Sequence, residues 1–153
     1  VEHPVTEMIT GQDLVDWQLQ VASGGTLPCA QEDLKITGHS LEARLYAEDP
    51  DNDFLPATGP LLRLRAPIEE NGVRVDTGVR EGDSVTPFYD PMIAKVIASG
   101  ADRDAAIARM RKALTETKIE GLGNNVEFLI EVLSDPDFQK VNITTNYIEK
   151  RQK

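Results

Sequence analysis

Residues 71–100 read NGVRVDTGVREGDSVTPFYDPMIAKVIASG, and their patterning sets the fold class. Over residues 73–80 the apolar Val73, Val75 and Val79 alternate with Arg74, Asp76 and Arg80, the period-two pattern of a strand with one buried face. Arg74, Asp76 and Arg80 should therefore share a polar side. Glu81, Gly82 and Asp83 signal a turn, Pro87 interrupts any central strand, and Asp90 is extended or turning because it precedes proline. Residues 92–98, MIAKVIA, are apolar at nearly every position, as in a strand covered on both faces, with Lys95 the charged exception. On spacing alone Arg74 reads as a solvated strand arginine paired with Asp76 or Asp83.

On the N-terminal side, residues 1–9 read as an extended segment or loop entering a helix. Thr10 is the expected N-cap, with Asp13 three residues on, and the helix spans Gly11 to about Ser23, where Gly24 and Gly25 stop it. Leu14, Trp17 and Val21 form its stripe, widened by Val15, Leu19 and Ala22, so one broad face is expected to be buried, Trp17 with it as core. Cys29 follows in a polar connection, with no histidine neighbour and no helix N-terminus to make it a thiolate, and reads as inert. From Ile36 to Glu48 the alternation returns, with Leu41, Ala43, Leu45 and Ala47 on one side and Glu42, Arg44, Tyr46 and Glu48 on the other. Residues 49–60 form a proline-rich acidic loop tethered at Phe54 and Leu55, without the ligand spacing of a calcium loop. Leu62, Leu64 and Ala66 mark another strand. Beyond residue 100, Asp102 opens a helix with Ile107, Met110 and Leu114 inward, and Val126, Leu129, Ile130 and Leu133 mark a second, ending near Asp135 and Pro136. Arg103, Arg109, Arg111 and Lys112 read as a solvated helix face or a subunit contact. This order predicts an α+β fold, an antiparallel β-sheet with flanking helices.

Composition restricts the partners. Twenty-six acidic against sixteen basic residues give a formal charge of −10, which opposes a phosphate backbone and argues against nucleic acid. No run approaches the roughly 20 apolar residues of a membrane helix, so no membrane partner is expected. One cysteine rules out an internal disulfide and, with two histidines, cannot build a cysteine-rich zinc site; a reducing interior is the expected compartment. No metal ligand set is assigned. The chain begins at Val1, without a start methionine or signal peptide, and reads as a segment of a longer protein. It carries no glycine-rich phosphate loop with its lysine, no HExxH, no CxxC and no GxSxG.

Six stretches in register carry a resemblance: VEHPVTEMITG, HSLEARLYAEDP, FLPATGPL, GVRVDTGVREGDSV, YDPMIAKVIASGADRDAAIARMRKAL and GLGNNVEFL. Together they resemble the C-terminal part of biotin carboxylase over essentially the whole chain. WQLQVASG, ARLYAEDPDNDF and TGVREGD look most like the α subunits of acyl-CoA carboxylases of the methylcrotonyl- or propionyl-CoA type. The resemblance implies that residues 1–35 end an ATP-grasp region, that 36–148 form the biotin carboxylase C-terminal domain and that 149–153 are a tail. It implies ATP-dependent carboxylation of carrier-linked biotin through carboxyphosphate. Glu2 matches the glutamate that takes the proton from bicarbonate, Val1 a residue whose backbone touches bicarbonate, and Arg74 an arginine that holds bicarbonate and then the biotin ureido oxygen. Arg44 and Lys95 are read as structural ion-pair members, with Glu42 or Asp90 as partners, and His3 as packed or hydrogen-bonded beside Pro4.

ATP with Mg2+ or Mn2+ would be held by family residues N-terminal to this segment, so the segment alone is expected to be inactive. Implied partners are the biotin carboxyl carrier domain, the N-terminal half of the enzyme, a carboxyltransferase subunit and a second copy in a homo-oligomer, in a bacterial cytoplasm or a mitochondrial matrix. The alternatives are a non-catalytic dimerisation or carrier-docking module, or the same region of pyruvate or urea carboxylase.

Overall fold

A computed structural model describes residues 2–151. In chain order it contains α1 (Pro4–Thr10), α2 (Leu14–Ala22), β1 (His39–Tyr46), β2 (Glu48–Asp49), β3 (Leu55–Pro56), β4 (Gly59–Pro60), β5 (Arg63–Arg65), β6 (Val73–Thr77), β7 (Ser84–Val85), β8 (Met92–Gly100), α3 (Arg103–Glu116), β9 (Lys118–Glu120), α4 (Val126–Ser134), α5 (Pro136–Gln139) and α6 (Tyr147–Arg151). The α+β class with antiparallel pairing and flanking helices holds.

The main sheet runs β1-β8-β6, all antiparallel. The apolar run of β8 takes the central place because only there are both faces covered, and Ile93 through Ala98 are buried. Register then divides the side chains. Ala94, Val96 and Ala98 lie opposite Leu45, Ala43 and Leu41 of β1, and Val96 and Ala98 also oppose Val75 and Val73 of β6. All of these join Ile107, Met110, Ala113 and Leu114 of α3 in one core. Each fully buried aliphatic side chain there contributes about 1.5–3 kcal/mol. Asp102 starts α3 by accepting from Ala105 N at 2.8 Å. Gly100 lets the helix return close to the strand, since a Cβ there would meet Ala106 N at 2.7 Å. On the opposite face the same register lines up Arg44, Lys95 and Asp76 across three strands.

At its far end β1 slips register between Leu45 and Tyr46, and buried Asn125 fills the gap in pairing. Its Oδ1 accepts from Tyr46 N at 2.9 Å, and its Nδ2 donates to the Arg44 carbonyl at 3.1 Å and to Glu48 Oε1 at 3.0 Å. Residues 49–60, expected as loop, contain the short strands β2 to β4, with Phe54 packed edge-on against Phe128.

Five expectations need correction. Residues 4–10 are helical rather than extended: Pro4 suits a first turn, where its missing N–H is not needed, and Gly11 ends α1 with φ 70°. The next helix starts at Leu14, capped by Asp13, which accepts from Asp16 N at 2.9 Å, whereas Thr10 Oγ1 turns back to the Thr6 carbonyl. The apolar stripe of α2 is not buried. Val15, Leu19 and Val21 are 47%, 64% and 46% exposed, because α1 occupies the place over the sheet and no described element covers α2. Finally, β6 stops at Thr77, whose hydroxyl donates to the Ile93 carbonyl, so exposed Arg80 lies in the following turn and does not share the face of Arg74 and Asp76. Likewise β5 is only three residues long, leaving Leu62 and Ala66 exposed.

Candidate functional site

Glu2 immediately precedes α1, and buried Pro4 anchors the start of that helix on the sheet beside β1 and β8. This brings Glu2 against the polar face. Lys95 Nζ donates to Glu2 Oε2 at 2.9 Å; the lysine side chain is 7% exposed and the glutamate side chain 71%. A buried ammonium therefore holds a carboxylate that solvent and small solutes can reach. The hydrogen bond from Lys95 and its charge, with smaller contributions from Arg44 and His3, hold the Glu2 carboxyl below the ordinary carboxylate range.

Beside this pair a cleft of about 350 Å³ is lined by Glu2, Glu7, Arg74, Asp76, Met92 and Lys95, among others. Arg74 meets Asp76 in a two-pronged contact, Nε to Oδ1 and Nη2 to Oδ2, both at 2.7 Å. Its Nη1 donates to Glu7 Oε2 at 2.6 Å. Asp76 first and then Glu7 push the guanidinium still further toward its charged form. Glu7 Oε1 in turn accepts from Leu14 N at 3.1 Å, so one carboxylate ties α1, α2 and β6 together.

The sequence reading named Asp76 as a partner of Arg74, and the structure shows that pair. It had no role for Glu7; the only signal was the proline-to-glycine span that marks residues 4–10 as a helix. For Lys95 the expected partners are Glu42 or Asp90, but it bonds Glu2, while Asp90 accepts from Met92 N. Arg44 has its expected partner, Glu42, at 2.9 Å, is half exposed, and also interacts with Tyr46. Both carboxylate and tyrosine keep it charged. His3 is exposed and lines both the cleft and a neighbouring apolar depression formed with Leu14, Trp17, Val21 and Leu27. Val1 lies outside the described residues. Among the described residues no three His, Cys, Asp or Glu side chains converge on a point that would hold a metal ion. The carboxylates of the cleft are committed to Arg74 and Lys95 and present no ligand set for a metal-nucleotide.

The arrangement is thus an accessible carboxylate flanked by cations on the open face of a rigid antiparallel sheet, suited to an oxyanion whose proton can be removed. The family profile described as the biotin carboxylase C-terminal domain matches residues 42–150, and one described as the carbamoyl-phosphate synthase L chain, ATP binding domain, matches residues 1–30. The chain belongs to the biotin carboxylase C-terminal domain family. It is 48% identical over its full length to the mitochondrial methylcrotonoyl-CoA carboxylase subunit alpha of Mus musculus, covering 21% of that protein. It is 46% identical over its full length to a biotin carboxylase of Halalkalibacterium halodurans, covering 33% of it. The biotin carboxylase domain dimer of Hydrogenobacter thermophilus 2-oxoglutarate carboxylase, solved with MgADP, ADP and bicarbonate, superposes with a TM-score of 0.96 at 41% identity, covering 99% of this chain and 33% of that one. The chain spans about a fifth of the length of the methylcrotonoyl-CoA carboxylase relatives it matches.

Proposed function

We propose that this chain is the C-terminal part of a biotin carboxylase, contributing bicarbonate and biotin contacts to the ATP-dependent carboxylation of carrier-linked biotin. In this reading residues 1–35 close the ATP-grasp region, 36–148 form the C-terminal domain and 149–153 are a tail. The observation that carries it is the accessible Glu2 carboxylate held by buried Lys95 at the edge of the cleft, with the Arg44 charge reaching it, in a chain of this family. Glu2 acts as the base. Bicarbonate is a far weaker acid than a glutamic acid side chain, so the transfer succeeds only where neighbouring cations stabilise the carbonate dianion as it forms.

The geometry favours Arg44 over Arg74 as the arginine that addresses the oxyanion. Arg74 has Nε, Nη1 and Nη2 all committed to Asp76 and Glu7, and one guanidinium between two carboxylates leaves a local charge of −1, which repels bicarbonate. Arg44 has one carboxylate partner, is half exposed, stands opposite Lys95 in register, and its charge reaches Glu2. Biotin, when delivered, supplies the ureido nitrogen that is carboxylated, and a guanidinium from this face would meet its ureido oxygen. Arg74 instead holds α1 to the sheet through Glu7.

The biotin carboxyl carrier domain, the remainder of the carboxylase, a carboxyltransferase subunit and a second copy are the partners this role requires. The final acyl acceptor is chosen in another domain or subunit; identity to the methylcrotonoyl-CoA carboxylase α subunits supports the acyl-CoA type over pyruvate or urea carboxylase. A bacterial cytoplasm or a mitochondrial matrix suits both kinds of relative, and no helix among the described residues is long and apolar enough to cross a membrane.

The test is bicarbonate- and biotin-dependent ADP release by this chain alone and after mixing with the complementary N-terminal portion. Activity is expected only in the mixture. Glu2→Gln and Arg44→Ala should each lower it by about 10²–10³-fold, the usual effect of losing one group that stabilises developing charge. Arg74→Ala should act far less on turnover. Parental activity in Glu2→Gln would defeat the assignment of the base, and a loss confined to Arg74→Ala would restore that arginine to the substrate.

A further inference from the structure

Lys95 is the one charged residue in the central strand, and the sheet encloses it. Register puts Arg44 opposite it on β1 and Asp76 opposite it on β6. Its side chain is 7% exposed, and its ammonium bonds the Glu2 carboxylate at 2.9 Å. Burying the ammonium of a long side chain is costly unless the charge is paired, so a lysine retained here needs its anion. The remaining charged groups on this face are Glu42 on β1, Arg74 on β6, and His3 and Glu7 at α1, with Glu42 engaged by Arg44 and Glu7 by Arg74. Among the described residues, Glu2 is the carboxylate that bonds Lys95.

We propose that Lys95 is a positioning residue for the proton transfer: it aims the Glu2 carboxylate into the cleft and keeps a fixed positive charge at the place where negative charge moves from Glu2 to carbonate. This rests on Glu2 being the base. In the step the bicarbonate O–H bond breaks and an O–H bond forms on a Glu2 carboxylate oxygen. The electron pair left on bicarbonate makes the carbonate dianion, and Glu2 becomes neutral. Lys95 loses its counter-ion at that moment. A cation that bound only the Glu2 carboxylate would oppose the transfer, by making Glu2 a poorer base. It favours the transfer only if its attraction passes to the dianion, so that the ammonium acts more strongly in the transition state than in the ground state. The sheet makes this possible, because Lys95 is held by strands on both sides and does not have to move.

In the full-length carboxylase, Lys95→Met keeps most of the buried apolar stem and removes the charge. Bicarbonate-dependent ADP release is expected to fall by about 100-fold in kcat with the KM for MgATP unchanged. Because Lys95 acts through Glu2, adding Lys95→Met to Glu2→Gln should cost less than about threefold more, a clear departure from multiplied effects. Lys95→Arg should keep turnover within about tenfold of the parent, since the charge remains. If Lys95→Met does not accumulate as folded enzyme, Lys95→Gln compared with Lys95→Arg makes the same distinction. Turnover of the neutral variants within threefold of the parent, or losses that multiply in the double variant, would overturn the inference. Parental turnover in Glu2→Gln alone would instead remove the base assignment on which it rests.

Discussion

Arg74 and Glu48 show how little a charged residue's identity says about its use. Arg74 is the most conspicuous polar side chain of a strand pattern, yet Asp76 and Glu7 use all three of its nitrogens. Replacing it with alanine leaves Glu7 almost buried without its cation. Because Arg74 is itself partly exposed, solvent screening limits the loss to about 1–2 kcal/mol, measured by urea denaturation and smaller in high salt. Glu48 behaves oppositely to Glu2. Burial raises its carboxyl above the ordinary value, only partly offset by the bond from Asn125. A raised carboxyl binds more protons in the folded than in the unfolded state, so its contribution to stability is present at low pH and is lost as pH rises through the raised value. Glu48→Gln, which can keep the acceptor for Asn125, should therefore raise the melting temperature by about 1 °C at pH 7 and leave it unchanged near pH 3. For Glu2 the sign reverses: its pairing with Lys95 contributes above the ordinary glutamate range and disappears as pH falls through its lowered value. The pairing of Arg74 with Asp76 was legible because strand residues two apart share a face. That of Lys95 with Glu2 was not, because 93 positions separate them and only the packing of α1 joins them.

Elements here were readable where a pattern had one physical solution. The alternation of β1 and β6 and the continuous apolar run of β8 admit only a sheet with β8 inside, and Ile107, Met110 and Leu114 could face only that sheet. Element ends were less readable. The sequence pointed to Thr10 as the cap with Asp13 as its partner three residues on, but Gly11 ends α1 and Asp13 itself caps α2. Asn125 lies in a loop whose sequence signals only a chain break, yet it completes the irregular end of β1 through three side-chain bonds. Asn125→Ala would leave Tyr46 N without its side-chain acceptor and Glu48 without its donor. A loss of about 1–3 kcal/mol is expected in chemical denaturation. Hydrogen exchange should be fastest in β1 near Tyr46, with the centre of β8 keeping its protection.

For the whole molecule, the apolar face of α2 contributes little to this chain's own packing. Val15, Leu19, Val21 and Leu27 are all exposed, and Val21 and Leu27 line a depression of about 630 Å³. Since no described element packs on Leu19, Leu19→Lys should change the unfolding free energy of this chain by no more than about 0.5 kcal/mol. It should nevertheless block reconstitution of carboxylase activity with the complementary portion. Equal activity of the parent and Leu19→Lys mixtures would show that this face is not used in assembly. The sequence by itself determined the α+β class, residues 92–98 as a strand covered on both faces, the inward faces of β1, α3 and α4, and the family, because these follow from local periodicity and from motifs in fixed order. Tertiary structure alone decided that α2 lies uncovered, that Glu7 restrains Arg74, and that Lys95 meets Glu2 with Arg44 beside it. Those outcomes depend on where α1 settles across the sheet, a contact between distant segments that no local pattern encodes.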